Sequence, residues 1–141
     1  MSFQKFKSQV KNCVLNSLNN LSIDFTEFEP SIPKNNEFGE LSINIAFPLS
    51  KKLSEKPLKI ANNIKKNIVL KNYNLIKECS VVIPGYLNFK INYDPFAPLI
   101  FFDSVNNLEY GRINLGNSEQ ISIEHTSVNP NKALHVGHLR N

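Results

Sequence analysis

The sequence predicts an α+β protein: a small amino-terminal domain of two or three helices on a short, mostly antiparallel sheet, then one strand and the start of a helix. Three observations carry that expectation. Residues 3–21 place apolar side chains at steps of three and four, the stripe of an amphipathic helix. Two runs rich in β-branched and aromatic residues, Cys79–Ile83 and Tyr86–Ile91, flank Pro84-Gly85, a strand–turn–strand signal. A dense polar string, EHTSVNPNKALHVGHLRN, fills positions 124–141 behind a β-branched run.

The elements follow in order. In the first helix Phe3, Phe6, Val10, Cys13, Val14, Leu18 and Leu21 form the stripe, Ser2 is available as its cap and Asn19-Asn20 end it. Ile23 and Phe25 alternate with polar residues in SIDFTEFEP, which predicts a short strand closed by Pro30. SIPKNNEFGE is a loop by composition. Leu41 to Leu53 fits two periods. Apolar residues at 41, 45, 49 and 53 suit a helix, those at 41, 43, 45 and 47 suit a strand, and the length with the KKL ending favours the helix. Pro48 is compatible with that helix only in its first turn or at a kink.

Pro57 suits a first helical position, and Ile60, Ala61, Ile64 and Ile68 line a buried stripe behind it. The two strand-like runs then pair with each other or with other strands. DPFAPLIFFDSV opens another helix at Pro95 or Pro98, LEYGRINLGNSE is a polar connector, and QISIE is a short strand leading to a helix start at about Lys132 to Leu134. These limits give a domain over 1–105, a connector over 106–118 and a second region over 119–141, whose strand–loop–helix pattern is like the opening of a Rossmann-like α/β domain.

With 141 residues and 41% hydrophobic content the chain is long enough for one sizeable core. The apolar run Ala97–Phe102 contains Pro98 and is far too short to span a bilayer. MSFQKFKSQV lacks the apolar core of a secretory signal, so a cytoplasmic protein is expected. Cys13 and Cys79 form no metal-type or redox-type pair, and two reduced, partly buried thiols are preferred over a structural disulfide. The net charge is only +4, but positions 51–77 hold eight lysines against one acid, Glu55. Such a field favours polyanions such as RNA; a solvated helix face is the competing explanation.

The final string carries the densest chemistry. His135 and His138 are three apart, so on a helix they share a face, and Gly137 between them lets a ligand approach the backbone. In a first helical turn, unpaired N–H groups and the dipole attract anions, and Lys132 adds a cation nearby. Together they suit a triphosphate and the charge that builds during phosphoryl transfer. Zinc is disfavoured, because no cysteine or carboxylate stands at a ligand spacing, and a P-loop is excluded by the missing glycine–lysine motif.

His135-Val136-Gly137-His138 resembles the HIGH signature of class I aminoacyl-tRNA synthetases, and the surrounding string resembles the arginyl-tRNA synthetase version. Tyr110-Gly111-Arg112, Phe38-Gly39-Glu40, Asn44-Ile45-Ala46, Pro57 with Ile60-Ala61, and Pro84 to Phe89 resemble that family's amino-terminal additional domain, in order and spacing.

The resemblance implies the amino-terminal portion of an arginine–tRNA ligase, inactive alone because most of the catalytic domain is missing. The alternative is a stand-alone tRNA-binding module with an inert catalytic remnant. It further implies ATP as substrate with Mg2+, no bound protein metal site, arginine and tRNA(Arg) as partners, no membrane, and a monomer. His135, His138, Gly137 and Lys132 would hold ATP, with His135, His138 and Lys132 catalytic. Ser127, Val128, Asn129, His138 and Glu124 would meet arginine, Val128 standing where the family often has proline. In this family the amino-terminal domain contacts the tRNA D-loop. Tyr86 would stack on an exposed base and Asn88 would hydrogen-bond to it, while Leu87 and Phe89 face the core.

Overall fold

The apolar stripe of the first helix decides where the core lies. In a computed structural model, which describes residues 2–112, 116, 119–122, 131 and 133, helix α1 spans Ser2–Asn20 and buries Phe6, Val10, Cys13, Val14 and Leu18. Ser2 does not cap it. Its hydroxyl donates to the Asp103 carboxylate at 2.6 Å, joining the start of α1 to a later helix and holding that carboxyl below its usual range; Lys5 adds to the effect.

The strand expected over Ile23 and Phe25 is absent, and the cause is local. Ser22 adopts a left-handed conformation (φ 55°), and the Ile23 N–H donates back to the Leu18 carbonyl at 2.9 Å. The chain therefore satisfies the open end of α1 before it could join a sheet. Ile23 and Phe25 pack on the core from an irregular segment.

Both periods in Leu41–Leu53 are used in succession. Leu41–Ile43 is strand β1, and Ala46–Leu53 is helix α2, with Pro48 third in the helix where its missing N–H costs nothing. Helix α3, Pro57–Lys66, begins on its proline and buries Ile60, Ala61 and Ile64, while Ile68 lies beyond its end. Strands β2, Ile76–Val82, and β3, Tyr86–Ile91, form the expected hairpin, and β1 pairs with the other edge of β3. The three-stranded sheet has the order β1-β3-β2 and is antiparallel throughout. Helix α4, Tyr93–Asn106, has Pro95 in its first turn and Pro98 inside it.

Two glycines fix the loops around the sheet. A Cβ on Gly85 (φ 153°) would lie 2.9 Å from Pro57, so the hairpin turn sits directly on the start of α3. A Cβ on Gly39 (φ 105°) would meet the Phe89 carbonyl at 2.6 Å. Only glycine meets both demands.

Alternation divides the sheet into two faces. Leu41, Ile43, Cys79, Leu87 and Phe89 are buried, and Val81 packs on the same core. Burial is the largest cause that drives both thiols, Cys13 and Cys79, up to about 12, and neither is in a disulfide. They are core residues. The opposite face presents Ser42, Asn88 and Ser80 as a row across three strands, with Tyr86 and Val82 beside it.

By contacts the chain forms two units, Met1–Gly111 and Arg112–Asn141. In the second, the Glu119 N–H donates to the Gly116 carbonyl at 2.7 Å. Gln120–Ser122, the described part of the expected QISIE strand, have no regular structure. No helix of the described residues is long and apolar enough to cross a membrane.

Candidate functional site

Strand β3 is the centre of the sheet, so every second side chain on its outer face should be either covered or used. Tyr86, Asn88 and Lys90 occupy that face. Lys90 pairs with Glu78 across the hairpin at 3.7 Å. Tyr86 is 40% exposed, and its ring stands edge-on to Phe47 of α2, with centroids 4.9 Å apart and planes at 63°. The Phe47 contact holds the ring in place while leaving part of it open.

Asn88 differs from its neighbours. It is only 2% exposed, yet among the described residues neither its Nδ2 nor its Oδ1 has a hydrogen-bond partner. Ser42 and Ser80 lie opposite it in register but do not bond to it. A buried amide left this way costs about 1–3 kcal/mol. In native structures the large majority of buried side-chain polar atoms have a partner in the protein, in ordered water or in a ligand.

Tyr86 and Asn88 line one pocket of about 500 Å³. Its other walls come from Ser42 and Asn44 at β1, Val82 and Ile83 at the hairpin, and the segment Ser31–Asn35 with Phe38. That segment is anchored by reciprocal backbone bonds between Ser31 and Ser42, at 2.7 and 2.9 Å. The rim is apolar: Ile83 and Ile32 are exposed, at 76% and 72%. The volume suits a small planar ligand. An aromatic ring, apolar edges and one unused amide can sandwich a flat heterocycle and read its polar edge.

A second cleft, of about 570 Å³ between α1 and α4, has a different character. The Gln9 amide there is already engaged, donating to Asn74 at 2.9 Å and accepting from the Leu75 N–H at 3.0 Å. It closes packing between elements and leaves no orphaned group.

Of the residues expected from sequence to act on small substrates, Glu124, Ser127, Val128, Asn129, Lys132, His135, Gly137 and His138 all lie outside the described residues. Among those described, no group of three or more His, Cys, Asp or Glu is placed to hold a metal ion. Leu87 and Phe89 are fully buried. Sequence reasoning missed the pocket's far wall. Phe38 and Asn44 stood within recognisable strings and Ile83 read only as the end of a strand, whereas Lys34 and Ile32 carried no signal.

Comparison with known proteins agrees with the fold. Residues 8–91 match the family model described as the arginyl tRNA synthetase N terminal domain. An arginine–tRNA ligase of Methanosphaera stadtmanae is 39% identical over 99% of this chain and 24% of its own length. One from Methanocaldococcus jannaschii is 42% identical over 76% of this chain and 19% of its own. The chain thus spans about a quarter or less of these relatives. Among solved structures, Thermus thermophilus arginyl-tRNA synthetase superposes with a TM-score of 0.56 at 24% identity, covering 96% of this chain and 21% of its own. Plasmodium falciparum arginyl-tRNA synthetase gives 0.57 at 20% identity, covering 67% and 17%.

Proposed function

The chain belongs to the arginyl-tRNA synthetase family, and on that premise we propose that it is the RNA-capturing amino-terminal portion of an arginine–tRNA ligase. The parent activity condenses arginine with ATP, releases pyrophosphate and passes arginine to the terminal ribose of tRNA(Arg). Mg2+ accompanies ATP, and the protein works as a cytoplasmic monomer. In that activity His135, His138, Gly137 and Lys132 hold the ATP phosphates. Glu124, Ser127, Val128 and Asn129, with His138, receive the amino acid.

The described domain's own share is to hold the RNA. The observation that supports it is the orphaned amide of Asn88 in the same pocket as the part-exposed ring of Tyr86. An unpaired base slides its face onto Tyr86, Ile83 covers the opposite side, and the Asn88 amide donates and accepts at the base edge. Such a site favours an RNA with a splayed nucleotide over a duplex, because a duplex keeps its bases stacked and its edges paired.

Binding of a tRNA(Arg) transcript, without arginine or ATP, tests this assignment. Association is expected at low ionic strength, Tyr86→Ala weakening it by about tenfold or more and His135→Ala leaving it unchanged. Failure of the wild-type chain to bind at low salt would refute the proposal.

A further inference from the structure

We infer that Lys34, from the loop before β1, together with Lys51 and Lys56, forms an arc around Tyr86 that grips the phosphates flanking the captured nucleotide. This rests on the base-capture proposal above and adds to it the side chains that hold the RNA backbone.

Topology sorts the basic stretch into two groups. Lys51 stands one turn beyond Phe47 on α2, on the same face, and the Phe47 ring touches Tyr86. Lys56 immediately precedes Pro57, on which the Gly85 turn rests, one residue from Tyr86. Lys34 comes from outside the lysine-rich stretch yet lines the same pocket as Tyr86 and Asn88. Three others, Lys66, Lys71 and Lys77, lie away from the ring. Lys66 ends α3, about 15 Å of helix from Pro57. Lys77 sits at the start of β2, where Ile76 pairs with Ile91, the opposite end of β3 from Tyr86 and about 17 Å away. Lys71 lies in the short 3-10 turn Leu70–Asn72 that leads into that end.

Charge pairing separates the near lysines again. Lys59 is paired with Glu55 at 2.6 Å, whereas Lys52 keeps its charge but has its ammonium tied to the Asp24 carbonyl at 3.0 Å. Glu78 is paired with Lys90, and Glu37, which accepts from the Asn35 amide at 3.1 Å, forms no ion pair with Lys34. Lys34, Lys51 and Lys56 are exposed, and among the described residues no carboxylate pairs with them. Their charge is therefore available to a polyanion, on both sides of the pocket that takes the base.

The test is a salt titration of tRNA(Arg) binding by the 141-residue chain and two triple variants of equal charge. One carries Lys34→Gln, Lys51→Gln and Lys56→Gln; the other carries Lys66→Gln, Lys71→Gln and Lys77→Gln. Each phosphate contact contributes about 0.7 to the slope of log affinity on log salt. The near triple is expected to lower that slope by about 2, and the far triple to leave it unchanged. Tyr86→Ala, run alongside, should cost affinity at constant slope. Equal losses in both triples, or none in the near one, would overturn the arc while Tyr86→Ala still reported base capture. A wild-type chain that fails to bind would remove the base-capture proposal and the arc with it.

Discussion

Asn88 is where stability and function pull apart. A buried amide without partners in the middle of a central strand lowers stability, and asparagine is a poor strand residue besides. Replacing it with leucine, similar in volume and free of polar atoms, should raise the stability of the free protein by about 1–2 kcal/mol while removing tRNA binding. Thermal or urea unfolding beside a binding assay checks both halves. A destabilised Asn88→Leu chain would mean that the amide already has a partner in the free protein. Alternation along β3 put Tyr86 and Asn88 on one face and Leu87 and Phe89 on the other, so their directions were legible in the sequence. The missing hydrogen bonds were not, because they depend on what Ser42 and Ser80 fail to offer across the strands.

Among the elements, those with a strong single period were legible and those whose hydrogen bonds go elsewhere were not. The stripe of α1, the proline start of α3 and the β2–β3 hairpin follow directly from spacing. The SIDFTEFEP segment alternates like a strand, but the end of α1 claims its first N–H group. Leu41–Leu53 carried two periods because it holds two elements, and no local signal marks Asn44 and Ile45 as the join. The pocket's far wall reaches the sheet through one isolated bridge, Ser31 to Ser42, a contact beyond the reach of a local pattern. The hairpin turn is the element most sensitive to a single atom. Gly85→Ala would drive a Cβ into Pro57 in a backbone conformation that disfavours it, costing about 1–3 kcal/mol. Because that turn also sets Tyr86, the variant should lose tRNA affinity beyond its unfolded fraction. Measuring both at a temperature where the chain stays folded separates the two effects.

At the scale of the described domain, one face of the sheet builds the core and the other carries the pocket proposed to take a base. Helices α1 and α3 supply the buried stripes packed into the core with the inner face, and the outer face keeps a row of small polar groups around one aromatic ring. The modest net charge hides this division, since the lysines proposed to flank Tyr86 come from the loop before β1, from α2 and from the residue before α3. The most direct measurement follows the Asn88 side-chain amide by nitrogen–proton NMR as tRNA(Arg) is added, with a fully paired RNA duplex of equal length as the control. The account predicts that the two Asn88 Nδ2 proton signals shift together with the Tyr86 ring signals on adding tRNA and stay put with the duplex. Unmoved Asn88 signals at saturating tRNA, with shifts confined to surface lysines, would contradict it.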